Sequence, residues 1–185
     1  MGAIDVGAAA TDRASGWNFG FTLLSIDNPA NDTGALSSVE IWCANALVNC
    51  KVGTAYNDGG AGKYTFRDSQ AIGAVTNGSK QTFSGLDFDV ETDDLLGVYF
   101  TGGQIDRDEF GYDGLYYLIG DQFSTSQASY STASGDAISL YATGTTASAT
   151  SIKTLFAGTP IADLAKFNGT AISDYKKING ISNVD

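Results

Sequence analysis

The chain contains no histidine. That one absence removes the Ser-His-Asp and Cys-His nucleophile pairs and every imidazole metal site. No GxxxxGK[ST] run and no GxGxxG opening a helix occurs, so neither a phosphate cradle nor a dinucleotide cradle is supported. Basic residues are scarce, 10 Lys and Arg against 21 Asp and Glu, for a net charge of -11. Such a surface repels a phosphate backbone and an anionic membrane alike, so no nucleic acid and no membrane is expected as a partner. The acidity itself serves solubility. No segment has the apolar length of a membrane span. The N-terminus lacks both a basic n-region and an apolar h-region, which reads against a secretory signal. Either the chain is made and assembled in the cytoplasm, or a signal lies outside this sequence.

What catalysis remains is carboxylate chemistry, two acids flanking a sugar bond. Asp89, Glu91, Asp93 and Asp94 are available in DFDVETDDLL. They lie in turn-like stretches, where a solvated loop is the ordinary account. No catalytic residue is assigned, and no enzyme activity is expected.

The residues that are present describe a folded, turn-rich chain. Hydrophobic residues make up 43% and charged residues 17%, with 23 Gly, a balance unlike that of a disordered segment. Strand signals recur along residues 17–141, bounded by Gly, Asn, Asp or Ser. Residues 17–26 alternate with Trp17, Phe19, Phe21 and Leu23 on one face. In LSSVEIWCA, Val39, Ile41 and Cys43 share a face opposite Glu40 and Trp42. NDGG at 57–60, NGS at 77–79, TGG at 101–103 and SGD at 134–136 read as turns between strands. No window there has a helical period. The expected fold is all-β, an antiparallel β-sandwich or jelly roll with a short C-terminal repeat appendage. Its expected core is Trp17, Phe19, Phe21, Val39, Ile41, Leu96, Val98, Phe100, Ile138 and Leu140.

The expected organisation is an N-terminal arm over 1–16, a sandwich over 17–144, a small-residue linker over 145–151 and a repeat segment over 152–185. IADLAKFNGT (161–170) and ISDYKKINGI (172–181) align at an offset of eleven, and a worn third copy holds Phe156, Gly158 and Thr159. Short tandem units cannot bury a core alone, so they stack on copies of themselves. Ile161, Leu164, Phe167, Ile172, Tyr175 and Ile178 form an apolar stripe more extensive than a free tail leaves in water. A homo-oligomer follows as the expected state. Each unit reads either as a helical turn ended by Asn-Gly or as an Asn-Gly hairpin, and both stay open.

Three site readings arise from the residues. Asp106, Asp108, Glu109 and Asp113 lie within IDRDEFGYDG and carry oxygen ligands for a calcium ion. Phe110 and Tyr117 occupy positions where an EF-hand loop has ligands, and a solvated acidic hairpin loop is the preferred alternative. No other cofactor is implied. Trp42, Tyr112 and Tyr116 fall in loops or on the less apolar face, as sugar-contacting rings do, or as rings packed on a neighbouring subunit do. Cys43 and Cys50 can form a disulfide if they sit on adjacent antiparallel strands, or remain two small buried thiols.

DVGAAATDRAS, SVEIWCANALVNCKVGTAY, GSKQTFSGLDFDVETDDLLGVYFTGG, GLYYLIGDQF and GDAISLYATG, taken in order over roughly residues 4–144, resemble a group of tailed-bacteriophage structural proteins. The terminal units are similar to short repeats at the ends of phage virion and tail proteins. The resemblance implies a lectin-like β-sandwich in a virion assembled in the host cytoplasm and extracellular when released. Its expected partners are copies of itself, other virion proteins and a host surface glycan. As a role it implies a tail-fibre or receptor-binding module, or a capsid decoration or filament subunit. A carbohydrate-binding module or a carboxylate-based glycoside hydrolase is the alternative.

Overall fold

The computed structural model describes residues 2–146, together with strand residues 166–167 and 170–171 further on. The chain divides into two compact units, 1–147 and 148–185. The first unit is all-β and antiparallel, with sheets that curl into a half-barrel, consistent with a β-sandwich. Its strands are β1 (Ala3–Ala8), β2 (Ser15–Asn18), β3 (Phe21–Ser25), β4 (Gly34–Ile41), β5 (Cys43–Asn57), β6 (Lys63–Val75) and β7 (Gln81–Val90). There follow β8 (Leu95–Tyr99), β9 (Gly102–Asp108), β10 (Leu115–Ile119), β11 (Ala128–Ser129), β12 (Ser131–Ala133), β13 (Ala137–Ile138) and β14 (Leu140–Thr146).

One sheet has the order β1-β14-β4-β7. The larger runs β11-β6-β5-β8-β3-β10-β12, with β9 joining β2, β13 and the first part of β5. The 15-residue β5 serves two neighbours in turn: Cys43 to Val48 pairs with β9, and Lys51 to Ala55 pairs with β8. It bends where the register slips near Asn49, whose φ is 50°. A strand that changes partner must break its ladder somewhere, and a bulge is how it does so.

Val39, Ile41, Leu96, Val98, Phe100, Ile138 and Leu140 are completely buried, as their alternation predicts. They join Ile4, Leu23, Leu36 and Phe88 in one cluster between the sheets. The reading of 17–26 as a single strand needs correction. Gly20, with φ 86°, ends β2 and starts a turn into β3, so Phe19 is 53% exposed and Trp17 and Phe21 are only half-buried. The N-terminal arm is corrected too. Residues 3–8 pair with β14 from Ala3↔Thr145 to Ala8↔Leu140, and they bury Ile4 and Val6.

A second cluster covers the opposite face of the larger sheet. Leu24, Ala55 and Leu95 lie beneath Tyr64, Phe66, Tyr116 and Leu118. There Gly53 and Gly97 are directly paired, and the stacked rings of Phe66 and Phe123, 3.8 Å apart, lie over the gap that they leave. A Cβ on Gly97 would come within 2.7 Å of the Phe66 ring. The missing side chains make room for the rings.

Both outer strands of the smaller sheet have backbone donors occupied. Along β1, Gly7 N–H donates to the Asn28 carbonyl (2.9 Å) and Asp5 N–H to Asn31 Oδ1 (3.1 Å). Along β7, Asp87 N–H donates to Gln70 Oε1 (3.1 Å) and Asp89 N–H to Asp68 Oδ2 (3.0 Å). Side chains and a loop thus cover β1 and the Asp87–Asp89 end of β7, where another strand could otherwise pair.

In the second unit, Lys166↔Ala171 and Phe167↔Thr170 pair antiparallel, two residues apart across Asn168 and Gly169. At those four residues the pairing is the one that the hairpin alternative calls for. The linker read over 145–151 needs correction at its start, because β14 runs on to Thr146; its residues 147–151, the rest of the repeats and the stripe from Ile161 to Ile178 apart from that backbone pair lie outside the described residues.

Candidate functional site

The two sheets meet at a corner made by Trp42, Asp106 and Ser139. Trp42 links β4 to β5, and Ser139 links β13 to β14, so each is a single residue at which the chain crosses from one sheet to the other. Their backbones knit together: Trp42 N–H donates to the Ser139 carbonyl (3.2 Å), Asp106 N–H to that of Trp42 (3.2 Å) and Ser139 N–H to that of Asp106 (2.9 Å).

Residues 9–14 form a strap across this corner, held by Arg13. Its side chain is only 3% exposed. Nε donates to Ser139 Oγ (2.8 Å), one terminal nitrogen to Asp108 Oδ2 (2.8 Å) and the other to the Ala9 carbonyl (2.9 Å). The planar fork of a guanidinium makes such divergent bonds, which an ammonium cannot reproduce. The Arg13 N–H donates to Asp106 Oδ2 (3.0 Å), and the Ala14 N–H to Asp108 Oδ1 (3.2 Å). The Tyr112 ring lies 4.8 Å from the guanidinium carbon.

The other two arginines repeat the pattern. Arg67 grips the buried Asp94 through two nitrogens (2.6 and 3.1 Å) beside the Tyr56 ring. Arg107 bonds Asp136 (3.3 Å) and Glu109 beside the Trp17 ring. Each pairs an acid with an aromatic face, a combination worth more when desolvated than on an open surface.

Beside the strap an open cleft of about 400 Å³ is lined by Asp12, Ser15, Trp42, Asn77, Gln104 and Asp106, among others. Asp106 is 1% exposed, and no donor of the protein reaches its Oδ1. The group that faces it is another acid, Asp12. Burial pushes the Asp106 carboxyl above the usual carboxylate range, and Asp12 adds to this against the opposing Arg13 N–H. Asp108 behaves oppositely. Burial would raise it, but the Ala14 N–H and the Arg13 guanidinium outweigh that and hold it below the usual range.

These opposite shifts give a testable pH dependence. A native carboxyl that binds its proton more tightly than in the unfolded chain loses stability as pH rises from about 3.8 through its raised folded value. Asp108 contributes stability above that ordinary value, and it is lost as pH falls through the lowered one. Asp106→Asn keeps an acceptor for the Arg13 N–H and offers an amide donor to Asp12. Melting followed from pH 4 to 8 should show no loss of stability at neutral pH, and the decline above pH 4 should become shallower. A steeper decline would assign the burden to a different group.

The four residues read as calcium ligands do not converge. Asp106 and Asp108 are engaged by the strap, Glu109 by Arg107, and the Asp113 N–H donates to Asp27 Oδ1 (3.0 Å) in an exposed loop. Among the described residues, no three acidic or thiol side chains gather where a metal ion could be held. The three rings are likewise dispersed. Tyr112 caps Arg13, Tyr116 packs 5.0 Å from Tyr64 on the larger sheet's outer face, and Trp42 alone lines the cleft. The cysteines are not on neighbouring strands: Cys43 and Cys50 both lie in β5, both are buried, and both are free thiols. Burial, with Cys43 nearby, pushes the Cys50 thiol up to about 12, so it is inert as a nucleophile.

No family model and no curated protein matches this chain. The site therefore rests on its own geometry. Asp12 and Arg13 carry no sequence signal of their role, because they sit in a run of small residues resembling an arm. The described residues include no helix long and apolar enough to cross a membrane.

Proposed function

We propose that this protein is a non-enzymatic virion structural component, a surface-displayed β-sandwich that assembles as a homo-oligomer through its C-terminal repeats. The observation that carries the reading is the pairing of β1 with β14, which brings the two ends of the body together. Gly2 N–H donates to Thr146 Oγ1 (2.8 Å), and Thr146 N–H to the Gly2 carbonyl (3.0 Å). The chain thus enters and leaves the body side by side, at one end, as a displayed module does. Cover at β1 and at the Asp87–Asp89 end of β7 leaves the smaller sheet little ladder for addition of a strand, and the reading gives self-association to the repeats. Tail-fibre or receptor-binding modules and capsid decoration or filament subunits all fit this arrangement.

A carbohydrate-binding module is the second reading, favoured by the polar cleft beside Trp42. Hydrolysis is less well supported by the same cleft. Two catalytic carboxyls must stand about 5 Å or more apart to flank a sugar bond, whereas Asp12 and Asp106 are within hydrogen-bonding reach of each other.

Light scattering on the full chain and on residues 1–151 tests the assembly. The full chain should be a trimer or larger, and the shortened chain a monomer with the same melting temperature. A shortened chain that assembles as before would remove the repeats from the proposal.

A further inference from the structure

We propose that Asn77 is a site of spontaneous self-modification: the Gly78 backbone nitrogen attacks its side chain, and the acid that results unties the β6–β7 turn from β5. The inference goes beyond the proposed function and does not depend on it.

Three observations carry it. First, the local chemistry is right at one place. Among the asparagines of residues 2–146, Asn77 alone is followed by glycine. A side chain on the next residue obstructs attack by that residue's nitrogen, and glycine has none. Asn28 precedes Pro29, whose nitrogen carries no proton. Asn57 is engaged with Gly60 through both ends of its amide (2.6 and 3.2 Å).

Second, the turn is open to the motion that attack requires. Residues 76–80 are all exposed, and no backbone hydrogen bond closes the turn. Gly78 has φ 87°, and nothing lies within 4 Å of where its Cβ would stand. Among the described residues no acceptor takes its N–H. A loop tip with so few contacts opens at little free-energy cost.

Third, the amide at risk is one of two side-chain ties from the turn to β5. Asn77 Nδ2 donates to the Ala44 carbonyl (3.4 Å), a long bond that holds the side chain loosely. The other tie is the Cys43 thiol, which donates to the Thr76 carbonyl (3.4 Å). Lys80 fastens the far end of the turn to Glu40 on β4 (2.9 Å).

The step balances with water as its only co-reactant. The bond from the Gly78 nitrogen to Asn77 Cγ forms and the Cγ–Nδ2 bond breaks. Nδ2 takes up the amide proton and leaves as ammonia. Water then opens the five-membered imide. Cleavage of the new bond gives aspartate, and cleavage of the original peptide bond gives isoaspartate, with one more carbon in the main chain. Either product replaces the donor with a carboxylate, which cannot bond the Ala44 carbonyl. It also adds a third acid to the cleft that Asp12 and Asp106 already line, and like charges repel.

Ageing the full-length protein at pH 8 is the test. Trypsin releases 68–80, cutting after Arg67 and Lys80, and Asn77 is the only asparagine in that peptide. The peptide should become heavier by one mass unit at Asn77 and split into aspartyl and isoaspartyl forms. Conversion in the folded protein should run within about tenfold of its rate in the isolated peptide. The Cys43 thiol, buried in fresh protein, should react with iodoacetamide about tenfold faster or more as conversion proceeds. Asn77→Asp should show the fast thiol without ageing. Asn77→Gln, which would have to close a six-membered ring, should keep its mass and its slow thiol. An intact Asn77 in the folded protein after the free peptide has converted overturns the proposal. So does conversion that leaves Cys43 as slow as it is in Asn77→Gln.

Discussion

Phe100→Ala is expected to cost about 3–5 kcal/mol, and Phe19→Ala to stay within about 0.5 kcal/mol of the parent. Alternation along neighbouring strands puts both phenylalanines in the core, and the structure separates them. Phe100 is wholly enclosed between the sheets just after β8, whereas Phe19 is 53% exposed on the turn closed by Gly20. Removing the Phe100 ring leaves a cavity walled by β-sheet on both sides, where backbone ladders resist collapse. The melting temperature should fall by roughly 6–20 °C for a domain of this size. Urea titration gives the same answer independently: the midpoint moves and the slope does not. Equal losses at the two positions would mean that the turn at Gly20 is not where it is drawn.

The second large effect is expected at Arg13. Arg13→Ala removes three side-chain hydrogen bonds and the cation beneath Tyr112, and leaves Asp108 with the Ala14 N–H and the Tyr112 hydroxyl. Breaking a buried pair from one side costs about 3–5 kcal/mol. Asp108 retains 30% exposure, which lets water recover part of that, so a loss of about 2–3 kcal/mol is expected. Arg13→Lys should recover little, because one ammonium cannot reach Ser139, Asp108 and Ala9 together. Hydrogen exchange locates the damage. Thr11 and Ala14 amides, whose acceptors are Ser139 Oγ and Asp108, should exchange much faster, while those of β4 stay protected. A uniform rise across all strands would show that Arg13 supports the whole body and not the strap.

Much of the body was legible because period-2 burial is a strong signal wherever a strand has one wet face. Val39, Ile41 and Cys43 against Glu40 and Trp42 is the clearest case; NGS and SGD fall between strands, whereas NDGG begins on the last residue of β5 and TGG runs into β9. What escaped has physical causes. β1 is short and built of small residues, so only Ile4 and Val6 announce it, and its partner lies at the far end of the sequence. Trp42 continues the alternation of β4 into β5 without a break, which hides that the chain changes sheets there. The acids of 105–114 suggest a cation site because they are close in sequence, which along a strand does not make them close in space. On β9, Asp106 and Asp108 point to one side and Arg107 to the other, so the run of acids is split between two arginines. Arg13 carries no periodic signal, because its importance comes largely from two acceptors on distant segments, Ser139 and Asp108.

The adjacency of Gly2 and Thr146 has a mechanical consequence. Tension applied to both ends of the body would load the β1–β14 ladder from one side, so its hydrogen bonds would yield one after another like a zip. Strands pulled lengthwise from opposite ends would instead share the load. A body attached in this way is a poor tension member and a good side branch.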